Sequence, residues 1–208
     1  MGDGKEAAMG IRAVVLDIGG VLEHTPPLGT DSRWEQRLGL APGEMALRLG
    51  AVWRASGIGA ITEAEVCQRT GEILRLGRAD VDAYLADAWT EYLGTLNQEL
   101  AVYFSGLRPA YRTGIISNSS VGAREREQAR YGFEQMTDVI IYSHEAGIAK
   151  PDPRIYALAC QQLQVRPEEM VFLDDVQANV DAAVGAGIRA VLFTGTDQAI
   201  ADIEARLR

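Results

Sequence analysis

The chain has 208 residues, 47% of them apolar and 24% charged. That suffices for one compact core with a sizeable insertion, or for two small domains, and excludes the low-hydrophobicity, high-charge regime of disordered chains. Twenty Lys plus Arg against 29 Asp plus Glu leave a net charge of −9, a field that disfavours nucleic acid and anionic lipid as partners. Two cysteines, Cys67 and Cys160, both inside helical patterns, are too few for a disulfide framework or a four-thiolate zinc site. No apolar run approaches the roughly 20 residues that cross a bilayer. The start, MGDGKEAAMG, lacks the apolar stretch of a signal peptide and has Glu6 where a myristoylation site needs Ser or Thr. The expectation is a cytoplasmic protein that meets neither membrane nor nucleic acid.

In chain order, the first element is a strand over 12–17, short, β-branched and continuously apolar, as suits a strand buried on both faces. From about Leu28 to Gly94 the pattern is helical, with no convincing strand. Thr62-Glu-Ala-Glu65 offers a capping box for one helix, and a second runs from about Ala79 with Val81, Leu85, Ala88 and Tyr92 on one face. The sheet resumes near Leu96. Strands over 113–117, 138–142, 170–174 and 189–193 then alternate with helical patterns, one after Pro151-Asp-Pro153 and one after Asp175. This order predicts an α/β fold in which a central parallel sheet is wrapped by helices. Residues 1–23 and 95–208 are expected to form the sheet domain, and residues 24–94 a helical insertion that covers the site as a cap.

Open parallel sheets bind ligands beyond the carboxyl ends of their strands. Those ends carry Asp17, Ser117-Asn118 and Asp174-Asp175, and Lys150 lies in the loop beyond the third strand. Asp17 and one of the Asp174-Asp175 pair would repel at close range unless a cation or proton lay between them. A hard divalent ion such as Mg2+, which takes carboxylates, waters and phosphate oxygens, suits that set. Ser117 and Lys150 would then hold phosphate oxygens, and a carboxylate can itself attack phosphorus.

These residues resemble the haloacid dehalogenase superfamily of hydrolases over nearly the whole chain from about Arg12. The four motifs are Val14-Val-Leu-Asp17-Ile-Gly-Gly-Val21, Gly114-Ile-Ile-Ser117-Asn118, Lys150-Pro-Asp-Pro-Arg-Ile-Tyr156 and Val171-Phe-Leu-Asp174-Asp175 followed by Asn179. The resemblance implies a three-layered Rossmann-like core, a helical cap inserted after the first motif, and Asp17 as nucleophile. It also implies magnesium held by Asp17, the Gly19 backbone carbonyl and Asp175 with Asp174 in support, and a phosphoryl group bound by Ser117, Asn118 and Lys150. The function implied is a magnesium-dependent phosphatase of a small phosphorylated metabolite such as a sugar phosphate. Gly19 departs from the typical phosphatases, which carry a second Asp there as general acid and base. A subgroup with Asp-x-Gly-[Asn or Gly]-Val is similar to this chain. The departure favours leaving groups of low pKa and keeps open a binding or regulatory protein without turnover. The dehalogenase branch needs no metal and carries an aromatic residue at that position, so it matches less well.

His24, seven residues past Asp17, is the nearby imidazole that could replace the missing acid. His144 is expected to be structural. Trp34 and Trp53 are read as packing residues, with a place in the substrate cavity as the alternative for both and for Arg54. One of Asp174 and Asp175 is also expected to cap the helix that follows.

Overall fold

The computed structural model describes residues 10–208, so the reading of the first nine residues as neither signal nor lipidation sequence lies outside the described residues. The chain enters through β1 (Ala13–Leu16) and a two-residue strand β2 (Glu23–His24). It runs through four helices, α1 (Thr30–Leu38), α2 (Glu44–Gly57), α3 (Glu63–Leu74) and α4 (Arg78–Leu93), and returns along β3 (Thr95–Leu96), antiparallel to β2. There follow α5 (Gln98–Gly106), β4 (Arg112–Ser117), α6 (Ala123–Tyr131), α7 (Phe133–Met136), β5 (Val139–Tyr142), α8 (Ser143–Ala146) and α9 (Pro153–Leu163). The last elements are β6 (Met170–Asp174), α10 (Gln177–Gly185), β7 (Arg189–Leu192) and α11 (Thr196–Leu207).

All five expected strands form one parallel sheet in the order β5-β4-β1-β6-β7. Its two faces explain why the strands are apolar without alternation. Val14 and Leu16 point to a cluster with Leu100 and Phe104 of α5 and Ile203 of α11, while Ala13 and Val15 point to Ile155, Ala159 and Leu163 of α9. The result is the three-layered Rossmann-like architecture, in which each fully buried Leu, Ile or Phe contributes about 1.5–3 kcal/mol. Leu16 lies level with Ile115 of β4 and Leu173 of β6. That register brings Asp17, Ser117 and Asp174 together at the carboxyl ends of the three inner strands.

The four helices between β2 and β3 have apolar clusters of their own, one built on Trp34, Met45, Leu49, Leu74 and Tyr84 and another on Val52, Ile61 and Val66. The capping box is present: Thr62 Oγ1 accepts from the Glu65 amide at 3.2 Å, and Glu65 Oε2 accepts from the Thr62 amide at 2.8 Å. Helices α1 and α2 start after Gly29 and Gly43, neither of which offers a side-chain cap. Their starts therefore carried no signal in the sequence. Among the described residues no helix is long and apolar enough to cross a membrane.

Candidate active site

Asp17 leaves β1 with its backbone N–H bonded to the Leu173 carbonyl at 3.0 Å, which fixes the turn against β6. Its Oδ1 accepts from the Ile18 amide at 2.7 Å and lies 2.7 Å from Lys150 Nζ. The same ammonium lies 2.6 Å from Asp174 Oδ2. All three side chains are buried, so one cation sits between two carboxylates with little water to screen it. Burial pushes the Asp17 carboxyl up to about 7, against the pull of Lys150 and with the repulsion of Asp174.

The other oxygen of Asp174 accepts from the Val176 amide at 2.8 Å and from Asn179 Nδ2 at 2.9 Å. Both oxygens of Asp174 are therefore occupied within the protein. The residue preceding α10 is Val176 and it makes no side-chain cap. This corrects the expectation of a capping aspartate, because Asp174 closes the turn before the helix instead. Asn118 holds the Lys150 backbone from both ends, accepting from its amide at 2.8 Å and donating to its carbonyl at 2.9 Å. The sequence placed Asn118 among the phosphate ligands; in the structure its amide positions the lysine, while the residue also lines the cavity.

Asp175 is exposed, and one carboxylate oxygen from each of Asp17, Asp174 and Asp175 lies within 4.8 Å of the others. Gly20 makes this possible. It has φ +75°, and a Cβ there would fall 2.1 Å from Asp175 Oδ2, so any side chain would drive the carboxylate out of the group. The carboxylates of Asp17 and Asp175 at this spacing, with Asp174 behind them, fit magnesium, which takes one or two carboxylates. By contrast, a Cβ at Gly19 would meet no atom within 4 Å. The position that lacks the second aspartate is thus open space.

Ser117, 2% exposed at the end of β4, lines a cavity of about 260 Å³ together with Gly19, Glu23, Thr25, Asn118, and Glu91 and Tyr92 of α4. The sequence reading missed Glu23. It is 1% exposed, and neither of its carboxyl oxygens has a hydrogen-bond partner among the described residues. Burial and the nearby Glu127 push it up to about 9, with Arg130 opposing. A raised carboxyl lends stability that is complete below its unfolded value and is lost as pH rises through the folded one. In urea unfolding, Glu23→Gln is therefore expected to match wild type near pH 4.5 and to exceed it by about 2–4 kcal/mol at pH 8. A difference independent of pH would show that Glu23 does not titrate there.

His24 is exposed and pairs with Thr95 across β2 and β3. Side chains alternate along a strand, so Glu23 and Thr25 face the cavity and His24 faces away. This corrects the expectation that His24 could replace the missing acid. His144 is structural, with Nδ1 2.7 Å from Ser119 Oγ. Trp34 packs as expected, its indole N–H donating to Asp87 at 2.9 Å. Trp53 both packs and lines a second cavity. Arg54 borders a different one, beside Asn118.

A profile of the haloacid dehalogenase-like hydrolases matches residues 11–187. The chain belongs to this family. Among characterised relatives, this hydrolase is 29% identical to mouse acyl-CoA dehydrogenase family member 10 over 94% of its own length and 19% of that protein's. It is 34% identical to the validoxylamine A 7'-phosphate phosphatase of Streptomyces hygroscopicus over 44% of its length and 43% of that protein's. An (S)-2-haloacid dehalogenase of a Pseudomonas is 29% identical over 87% of this chain and 83% of its own. The chain thus spans only about a fifth of the length of the first of these relatives. A Bacteroides thetaiotaomicron enzyme of the same family, solved with magnesium and inorganic phosphate, shares the fold with a TM-score of 0.74 at 22% identity, over 88% of this chain and 94% of its own.

Proposed function

We propose that this hydrolase is a magnesium-dependent phosphatase of a small phosphorylated metabolite, acting through an aspartyl-phosphate at Asp17. The observation that carries this reading is Asp17 itself, held against Lys150 and two further aspartates, next in the chain to Ile18 and Gly19, which line a cavity with Ser117 and with Glu91 and Tyr92 of α4. The relatives that hydrolyse phosphate esters support it, as does the absence of an aromatic residue at position 19. The paired aspartates would stand unexplained in a halide site.

Both of the hydrogen-bonding contacts to Asp17 fall on Oδ1, which leaves Oδ2 to attack phosphorus. The bond from Oδ2 to phosphorus forms as the ester oxygen departs with its electron pair and takes up a proton. Water then attacks phosphorus, and phosphate leaves with the Asp17 carboxylate restored. Lys150 Nζ and Ser117 Oγ hold the phosphoryl oxygens through both steps. Asp17, Asp175 and the Gly19 carbonyl would hold magnesium, with Asp174 in support through its grip on Lys150. Bound there, magnesium supplies charge neutralisation and alignment of the phosphoryl group. Residues 24–94 act as a cap that excludes bulk water.

With no acid at position 19, esters of good leaving groups, such as anomeric, acyl or aryl phosphates, should be favoured. Because a Cβ at Gly19 meets open space, Gly19→Asp should fold and raise turnover of simple alkyl phosphates by about 10²–10⁴ relative to aryl phosphates. An unchanged alkyl-to-aryl ratio would contradict the assignment of that position.

The primary test is phosphate release from sugar, acyl, nucleotide and aryl phosphates with magnesium or with chelator. Magnesium-dependent release carries the reading. Magnesium binding without any release would favour a binding protein, and metal-independent halide release a dehalogenase.

A further inference from the structure

The cavity lined by Gly19 and Ser117 has a neighbour on the other side of Glu91 and Tyr92. A second cavity of about 350 Å³, between α1, α2 and α4, shares Glu91 and Tyr92 with it. The second cavity is walled by Trp53, Tyr84, Trp89 and Tyr92 and carries Asp31 as well as Glu91. An ester with its phosphate at Asp17 and Ser117 would direct its leaving group towards Glu91 and Tyr92, the residues that border both cavities.

The charge of this path has one sign. Among the described residues no Lys or Arg lines either cavity, whereas Glu23, Glu91 and Asp31 do. Burial raises the Glu91 carboxyl, but hydrogen bonds from Thr30, whose amide donates at 2.9 Å, and the nearby Arg33 outweigh it and hold the group below its usual range. Asp31 accepts from Tyr84 Oη at 3.1 Å. Glu23 is almost wholly buried and has no partner for either oxygen, an arrangement that costs free energy until a donor arrives. Guanidinium groups do lie nearby: Arg126 stacks over Trp89 at 4.3 Å but is paired with Glu63, and Arg33 and Arg130 act on Glu91 and Glu23 without lining either cavity.

We infer, on the phosphatase reading above, that the substrate is a phosphate monoester whose alcohol portion bears an ammonium group, seated between Glu23, Glu91 and the aromatic walls. An ammonium group brings the hydrogen-bond donors that Glu23 lacks, a counter-charge for Glu91, and attraction to Trp and Tyr ring faces. A carboxylated or second phosphorylated group on the leaving portion would meet Glu91 and Asp31, with no Lys or Arg in the lining to receive it. The cavity beside Arg54 would suit such an anion, but it shares only Asn118 with the cavity that Ser117 lines.

The test compares kcat/KM for matched esters with magnesium: 4-(aminomethyl)phenyl against 4-ethylphenyl phosphate, and glucosamine 1-phosphate against glucose 1-phosphate, whose aryl and anomeric leaving groups need no acid at position 19. Fructose 1,6-bisphosphate serves as the anionic case and p-nitrophenyl phosphate as the general substrate. The amine-bearing member of each pair is expected to win by about tenfold or more, with the bisphosphate poorest. Glu91→Gln should bring both amine ratios down towards one. Turnover of the aryl ester with amine ratios at or below one, or with the bisphosphate preferred, overturns this inference and leaves the phosphatase reading standing. No release from any ester removes both.

Discussion

Asp17→Asn is expected to lower phosphate release by about 10⁴–10⁶, the loss typical of removing a nucleophile, with the fold intact. Asparagine has the same shape, and its carbonyl can still accept from the Ile18 amide that bonds Asp17 Oδ1 at 2.7 Å. It cannot form an acyl phosphate. The same substitution changes the charge balance of the site. In wild type, ionised Asp17 and Asp174 share the single ammonium of Lys150, and burial holds the Asp17 carboxyl up at about 7. Stability from such a raised group is complete below its unfolded value of 3.8 and is lost as pH rises through 7. With chelator present, Asp17→Asn should therefore match or exceed the wild-type melting temperature at pH 8, and gain less at pH 4. Thermal unfolding at the two pH values, beside a phosphate-release assay, checks both halves. Retained turnover would reject the covalent mechanism outright.

The sheet was legible because its strands are buried on both faces. Runs such as Val14-Val15-Leu16 and Val171-Phe172-Leu173 have no polar alternation, and only a sheet covered by helices on both sides lets such runs avoid water. Asp17, Ser117, Lys150, Asp174 and Asp175 were legible for a related reason. They are polar residues at or just beyond the ends of such runs, and parallel register brings strand ends together. What stayed hidden depends on distance through space. Gly20 looks like any glycine in a turn until Asp175 is seen 2.1 Å from where its Cβ would be. Glu23 sits in a two-residue strand that pairs only with β3, 70 residues on, so its burial had no local pattern to announce it. The lining of the aromatic chamber comes from three helices, α1, α2 and α4. Tyr84, Trp89 and Glu91 lie on α4 outside the series Val81, Leu85, Ala88 and Tyr92, so the helical periodicity did not single them out.

Lys150→Met tests the electrostatic frame from the opposite side. Methionine fills a similar volume but leaves Asp17 and Asp174 buried at the carboxyl ends of their strands without the cation that lies 2.7 and 2.6 Å from them. Removing one partner of a buried ionic group costs about 3–5 kcal/mol, chiefly because the remaining charges lose their compensation. In a protein of this size that is a fall in melting temperature of roughly 10 °C. The carboxylates can escape by taking up a proton, so the deficit should shrink as pH is lowered and grow as it is raised. A second escape is to lower the charge directly. The double variant Lys150→Met with Asp17→Asn leaves one carboxylate that still accepts from the Val176 amide and Asn179. It should recover much of the lost stability while remaining inactive, giving an interaction energy of about 1–3 kcal/mol in a double-mutant cycle. Magnesium should likewise restore part of the single variant's stability, because it replaces the missing positive charge beside the same carboxylates. Purely additive losses, with no response to pH or magnesium, would mean that Lys150 contributes by packing against Phe172 and not by balancing the two aspartates.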